Sequence, residues 1–442
     1  MNLKIKKINH GLSGTLSFPG DKSLSHRAII FGSLAEGESH FTNVLAGEDC
    51  VYTRKAFEAM GVKIRSNKDG TELWIEGKGL RLDKPGSELY LGNSGTSVRL
   101  LLGVLAGQNF EATLTGDPSL SLRPMRRVTD YLKQMGAHFE GKDTANFAPI
   151  KIKGGKLKAI DAKLSVASAQ VKSAILLAGL YADGVTSVTE PTLSRNHTES
   201  FLKSFGANVH EEGLTVSIEA GNMLKAKSET ILIPGDISSA AFFMVATLLV
   251  KDSNVNFKSV LNNSTRTGIF QVLKRMGASL VTNSSTPYGG PGVPEPSADF
   301  TLTSHQLNLN KFEIKKQELP TLIDEIPILC VLATQANGKS IIHDADELRV
   351  KETDRIHSMV SQLSRMGAKI KAEGNTLIIE GPTALRGAEV ESFKDHRTAM
   401  SLVVAGMIAD GETVVRDIEC INTSFPNFFQ LLKKVGAPYE LC

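Results

Sequence analysis

Eight short segments concentrate the side chains that could do chemistry. "GDKSLSHR" carries Lys22, Ser23 and Arg27, "GNSGTSVR" carries Asn93, Gly95, Thr96 and Arg99, and "SLRPMRR" carries Arg123 with Arg126 and Arg127 close by. "SVASAQVK" supplies Ser168, Gln170 and Lys172, and "LSRNHTE" supplies Arg195 and His197. Later, "RVKETDR" holds Lys351, Glu352 and Arg355, "DHR" holds Asp395, His396 and Arg397, and Asp324 opens a helix in "LIDEIP". Cations at helix starts are unfavourable for the helix itself, because the N-terminal end of its dipole is already positive. They become favourable once an anion lies between them, and helix N-termini seek phosphate and carboxylate in any case. Arginine matches both groups with its bidentate fork, and Gly95 lets a ligand approach the backbone closely. The pattern points to one or two small molecules carrying several negative charges. Asp324, Glu352 and Lys22 are the candidates for proton transfer.

Each segment also has an ordinary reading. A lone Lys or Arg is usually solvated, "GNSGT" resembles a tight turn, and "RVKETDR" reads equally as a salt-bridged helix face. His26, His197 and His396 suit packing, and Asp324 and Asp395 suit helix N-caps. Their recurrence at corresponding points of a repeat outweighs these readings. A helix closing on a motif like "MGA", followed by a strand, starts at residues 57, 132, 202, 273, 363 and 432. Glycine falls where a left-handed C-cap is needed. Before each lies a more apolar stretch, apolar nearly all round and therefore buried. The repeated unit is strand, buried helix, strand, outer helix and two paired strands, six times over.

The phrase "FPGDKSLSHRAII" (18–30) has a twin without cations, "IPGDISSAAFF" (233–243), and the two divide the repeats into three plus three. The predicted fold is therefore an α/β, two-domain, inside-out α/β barrel of six βαβαββ repeats, with the active site in the inter-domain cleft. One domain spans 21–234, and the other spans 1–20 and 235–442 and contains both termini. The strand "KIKKI" should complete the last repeat, and the Pro/Gly-rich "SSTPYGGPGVPEPSAD" (284–299) should be a surface loop.

Composition narrows the class. The chain has 442 residues, 41% of them hydrophobic, and a net charge of +3, too balanced for a nucleic-acid or membrane-surface partner. Neither G-x-x-x-x-G-K-[ST] nor G-x-G-x-x-G occurs, which argues against an NTPase or dehydrogenase. The four scattered cysteines, Cys50, Cys330, Cys420 and Cys442, suit a reducing compartment and no zinc site. The start has no signal-peptide run, and "AAFFMVATLLV" is too short to span a bilayer. The expectation is a cytoplasmic protein with no cofactor and no metal.

Taken in order over essentially the whole chain, "PGDKSLSHR", "LGNSGTSVR", "SLRPMRR", "ASAQVK", "RVKETDR" and "DHRTAM" resemble the signatures of the 5-enolpyruvylshikimate-3-phosphate synthase (3-phosphoshikimate 1-carboxyvinyltransferase) family. "SAQVK", "RNHTE" and "NSTR" resemble its class II branch, often less sensitive to the inhibitor glyphosate. The resemblance implies transfer of a carboxyvinyl group from phosphoenolpyruvate to the 5-hydroxyl of 3-phosphoshikimate, in the shikimate pathway to chorismate and the aromatic amino acids. It implies contacts to 3-phosphoshikimate from Lys22, Ser23, Arg27, Ser168, Ala169, Gln170, Arg195, Asp324 and Lys351. Phosphoenolpyruvate would meet Lys22, Gly95, Arg123, Gln170, Arg355 and Arg397. Asp324 would accept the hydroxyl proton, and Glu352, with Lys22, would handle the methylene proton. The chain departs from the better-known branch at Ala169, where a second serine is absent, with Arg195 the replacement contact, and at Thr423 in "NTSFP". The implied enzyme is a monomer with two small-molecule substrates. Its rivals are UDP-N-acetylglucosamine 1-carboxyvinyltransferase, whose reactive loop cysteine has no counterpart here, and a non-catalytic anion-binding repeat protein.

Overall fold

Apolar residues around the whole circumference leave a helix no face to offer water, so it must be enclosed. Six helices approach that condition beyond their polar first turns: Lys22–Leu34, Gly95–Ala106, Ala169–Gly179, Ile237–Leu249, Ile326–Ala333 and His396–Gly406. In a computed structural model that describes residues 1–286, 294–304 and 308–442, almost every residue of these helices is buried. The exceptions are Lys22 and Ser23, Thr96 and Arg99, Ala169 and Gln170, and Arg397, all in the first turn or just beyond it, with Leu249 at a C-terminal end. Solvent thus reaches these helices chiefly at their N-termini, where the polar residues stand.

The second helix of each repeat is Glu48–Ala59, Arg126–Met135, His197–Ser204, Gly268–Arg275, Arg355–Arg365 or Phe428–Lys434. Each is followed closely by a glycine at positive φ, from 86° at Gly61 to 114° at Gly136. That backbone is costly for any residue with a Cβ.

Six four-stranded sheets share one pattern. In one of them Leu89–Tyr90 runs parallel to Glu111–Thr115, which is antiparallel to Phe147–Lys153, itself antiparallel to His138–Gly141. The strand Leu3–Lys6 lies between Glu412–Arg416 and Glu440–Leu441, antiparallel to both, and so completes the last repeat. A further exchange concerns the strands beside the expected chain crossings near residues 20 and 235, whose partners were not legible in the sequence. Ser13–Ser17 precedes the helix Lys22–Leu34 but pairs with Asn254–Leu261, whereas Ile231–Leu232 precedes the helix Ile237–Leu249 but pairs with Glu36–Thr42. The two "PGD" phrases mark the places where this exchange occurs.

The chain divides into two units of three such sheets. One, the central unit, comprises residues 20–233 with 294–295; the other, the terminal unit, comprises 1–19, 234–286 and 296–442 among the described residues. The expected surface loop at 284–299 falls partly outside the described residues. Its described end departs from expectation, because Glu295 is fully buried in the central unit, with Oε1 2.8 Å from His197 Nδ1.

Candidate active site

In the central unit three helix N-termini carry the expected groups. Asp21 caps the helix Lys22–Leu34, its carboxylate accepting from Leu24 N at 3.0 Å. Lys22 is ion-paired with Asp49, a buried residue in the first turn of Glu48–Ala59. Arg27 is 3% exposed and donates Nε to Thr198 Oγ1 (2.9 Å), Nη2 to Ser173 Oγ (2.8 Å) and Nη1 to the Ser23 carbonyl (2.9 Å). Burial lowers its pKa to about 10 against the opposing field of Glu199, so it stays charged at neutral pH. His26 contributes no charge. Burial, then Lys22 and Arg27, hold it well below the usual imidazole range, and Nδ1 lies 2.8 Å from Thr53 Oγ1.

The helix Gly95–Ala106 is capped by Ser94, whose hydroxyl oxygen accepts from Ser97 N. Arg99 Nη1 donates to Gln170 Oε1 at 2.6 Å, and Gln170 Nε2 donates to Thr96 Oγ1 at 2.9 Å, which ties this helix to Ala169–Gly179. Gly95 lies beside both arginines. A Cβ there would stand 2.9 Å from Arg99 Nη1 and 3.1 Å from Arg123 Cζ. Arg123 donates to the Asn93 carbonyl at 3.1 Å. Ser168, expected to contact a ligand, is the N-cap of its own helix and accepts from Val171 N at 3.4 Å. Ala169, Gln170 and Arg195 are half-buried, whereas Arg126 and Arg127 are exposed, and Arg126 pairs with Asp143 at 3.0 Å.

Beneath these groups lies a charge cluster. Lys172 is fully buried, with Nζ 2.6 Å from Glu190 Oε2 and 2.7 Å from Glu199 Oε1. Burial disfavours the ammonium, but Glu199 and Glu190 outweigh it and hold Lys172 above its usual range.

The terminal unit gathers the other candidates around one guanidinium. Arg355, 1% exposed, places Nε 2.9 Å from Asp395 Oδ2, Nη2 2.6 Å from Glu352 Oε2 and Nη1 3.4 Å from Asp324 Oδ1. Burial works against its charge, and the three carboxylates reverse that and raise its pKa. Asp395 also caps the helix His396–Gly406, its Oδ1 accepting from Arg397 N (2.8 Å) and Thr398 N (3.1 Å). Arg397 Nη1 donates to the Asp324 carbonyl at 3.0 Å. Asp324 does not open the helix as expected, since Glu325 is the N-cap of Ile326–Ala333. Glu325 accepts from the Ser238 hydroxyl, whose oxygen accepts from Arg266 Nη2 at 2.9 Å. Lys351 and Glu352 are half-buried in the segment before the helix Arg355–Arg365.

Asp49, Glu190 and Glu199 escaped sequence reasoning. For Glu190 and Glu199 the available signal was Lys172 itself, an ammonium on an apolar helix that needs buried counter-charge; for Asp49 it was Lys22. Among the described residues no group of three His, Cys, Asp or Glu could hold a metal ion. Burial pushes the Cys330 and Cys420 thiols up to about 12, so neither is a ready nucleophile.

In chemical terms the central unit offers cations and helix N-termini to anions, and the terminal unit offers three carboxylates on one arginine, of which Asp395 is also taken up as a helix cap. Comparison with known proteins yields the same class throughout. The family model described as EPSP synthase (3-phosphoshikimate 1-carboxyvinyltransferase) matches residues 6–432. A 3-phosphoshikimate 1-carboxyvinyltransferase of Shouchella clausii is 48% identical over 432 residues, 98% of each chain. One from Bacillus cereus is 47% identical over 433 residues, 98% of this chain and 99% of the relative. A solved structure of EPSP synthase from Acinetobacter baumannii superposes with a TM-score of 0.88 at 42% identity, covering 99% of both chains.

Proposed function

The chain belongs to the EPSP synthase family, and from that premise we infer that it works as a 3-phosphoshikimate 1-carboxyvinyltransferase. It transfers the carboxyvinyl group of phosphoenolpyruvate to the 5-hydroxyl of 3-phosphoshikimate and releases phosphate, a step of aromatic biosynthesis. The observation that carries the chemical reading is the placement of Asp324 and Glu352 on the same buried Arg355.

The proposed route is addition followed by elimination. The 5-hydroxyl oxygen attacks C2 of phosphoenolpyruvate while Asp324 takes the hydroxyl proton and Glu352, with Lys22, delivers a proton to the methylene carbon. The result is a tetrahedral intermediate bearing a methyl group. A methyl proton then returns to Glu352, the C2–O bond to phosphate breaks, and the double bond is restored. Arg355 favours the ionised form of whichever carboxylate has lost its proton. Lys22, Ser23, Arg27, Ser168, Ala169, Gln170, Arg195, Asp324 and Lys351 are assigned to 3-phosphoshikimate. Lys22, Gly95, Arg123, Gln170, Arg355 and Arg397 are assigned to phosphoenolpyruvate. Fixed cations of this kind stabilise developing negative charge without having to reorganise.

No helix among the described residues is long and apolar enough to cross a membrane. The proposal takes the working form as a cytoplasmic monomer, with glyphosate competing for the phosphoenolpyruvate groups. Phosphate release, measured with both substrates and with each alone, tests the assignment. Release is expected only when 3-phosphoshikimate and phosphoenolpyruvate are present together. Release with UDP-N-acetylglucosamine as acceptor, or none with either acceptor, would overturn it.

A further inference from the structure

Lys172 carries a charge where none is needed for packing. An apolar filling of similar volume is often at least as stable as a buried ion cluster, so the cluster of Lys172, Glu190 and Glu199 is better explained by the geometry it imposes. Glu190 Oε1 accepts from Ser194 Oγ at 2.5 Å, and Oε2 accepts from Ser194 N at 3.4 Å. The segment 190–194 is thereby folded onto the carboxylate that Lys172 holds. Glu199 lies in the helix His197–Ser204, so Lys172 grips the chain on both sides of Arg195. The neighbouring pair repeats the link, with Ser173 Oγ 2.6 Å from Thr198 Oγ1. Lys172 and Ser173 belong to the helix whose first residues are Ala169 and Gln170.

We propose that Lys172 is a positioning residue for phosphate recognition, holding Glu190 and Glu199 so that Arg195 keeps a fixed place relative to the N-terminus of the helix Ala169–Gly179. The inference rests on the reading above in which Arg195 meets the phosphate of 3-phosphoshikimate in place of the hydroxyl that Ala169 lacks. Lys172 itself touches no substrate and acts through the loop.

The test is a double-mutant cycle on the full chain, read as KM for each substrate, kcat and melting temperature. Lys172→Met should raise KM for 3-phosphoshikimate by about tenfold, a change on the scale of coupling between touching residues. KM for phosphoenolpyruvate should stay within about twofold of wild type, a difference too small to signal a lost contact. In an Arg195→Ala background the same change should have almost no further effect, because the residue it serves is gone. Ser194→Ala removes the hydroxyl arm of the clamp while keeping all three buried charges in the chain, and should show the same selective rise even where Lys172→Met does not fold. A Lys172→Met penalty undiminished in the Arg195→Ala background would overturn the proposal, as would equal rises in both KM values. So would a Ser194→Ala enzyme with wild-type constants. If wild type releases no phosphate from the two substrates together, the functional reading fails and this inference fails with it; a failed cycle in an active enzyme removes the inference alone.

Discussion

Arg355 makes Asp324 and Glu352 answer to each other, since both carboxylates lean on one guanidinium. Replacing Glu352 by Gln keeps the shape and removes the proton carrier. A general acid–base group contributes roughly 10²–10⁴-fold to rate, so kcat should fall on that scale, with KM changed far less and the melting temperature nearly kept. Retention of wild-type kcat in Glu352→Gln would take Glu352 out of the proton transfer. At Gly95 the argument is steric. A methyl group there would press on Arg99 Nη1 and Arg123 Cζ, which are ends of flexible side chains rather than backbone. The helix should tolerate the change, since alanine is the better helix former, and the arginines should give way. Gly95→Ala is therefore expected to raise KM for phosphoenolpyruvate while the protein melts no lower than wild type. An unchanged KM would show that Arg123 does not serve that substrate.

At the scale of elements, the helix Lys22–Leu34 shows how much charge its first turns tolerate. Lys22 is paired with Asp49, Arg27 is hydrogen-bonded on three nitrogens, and His26 is kept neutral by burial first and its two cationic neighbours second. In the unfolded chain His26 titrates near its ordinary value of 6.5, so below that pH the unfolded state binds a proton that the folded state resists. Stability linked to His26 is thus complete above that value and is lost as pH falls toward the depressed folded pKa. The slope for one group approaches about 1.4 kcal/mol per pH unit. Urea midpoints of wild type should drop more steeply between pH 7.5 and 5.5 than those of His26→Gln, and parallel slopes would contradict the argument. The repeats were legible because apolar runs and C-cap glycines are local signals, and all six glycines stand at positive φ. The pairing of Ser13–Ser17 and Ile231–Leu232 was not, because a short strand carries no mark of its partner. Nothing local in the sequence singled out Asp49, Glu190 and Glu199 for the same reason, and only the fold shows which cation each one meets. Asp324 was found as a chemical group but misplaced by one position, since Glu325 took the cap.

At the scale of the whole molecule, the two units differ in how the chain builds them. In the terminal unit the last sheet depends on the first residues of the chain, because Leu3–Lys6 is hydrogen-bonded on both sides, to Glu412–Arg416 and to Glu440–Leu441. Leu3 and Ile5 are at most 1% exposed. Burying each such side chain contributes about 1.5–3 kcal/mol. Together with the lost pairing, that is comparable to the roughly 5–15 kcal/mol by which a domain is stable at all. Deleting residues 1–7 should therefore unfold much of the terminal unit, and with it the setting of Asp324, Glu352 and Arg355. The central unit takes no strand from these residues, and it contains Trp74, the single tryptophan, stacked on His40 at 4.7 Å. Emission from Trp74 should keep a cooperative thermal transition in the deleted protein while far-UV circular dichroism loses amplitude and sharpness and turnover disappears. Coincident, full-amplitude transitions by both probes, with activity intact, would show that the last sheet closes without its central strand.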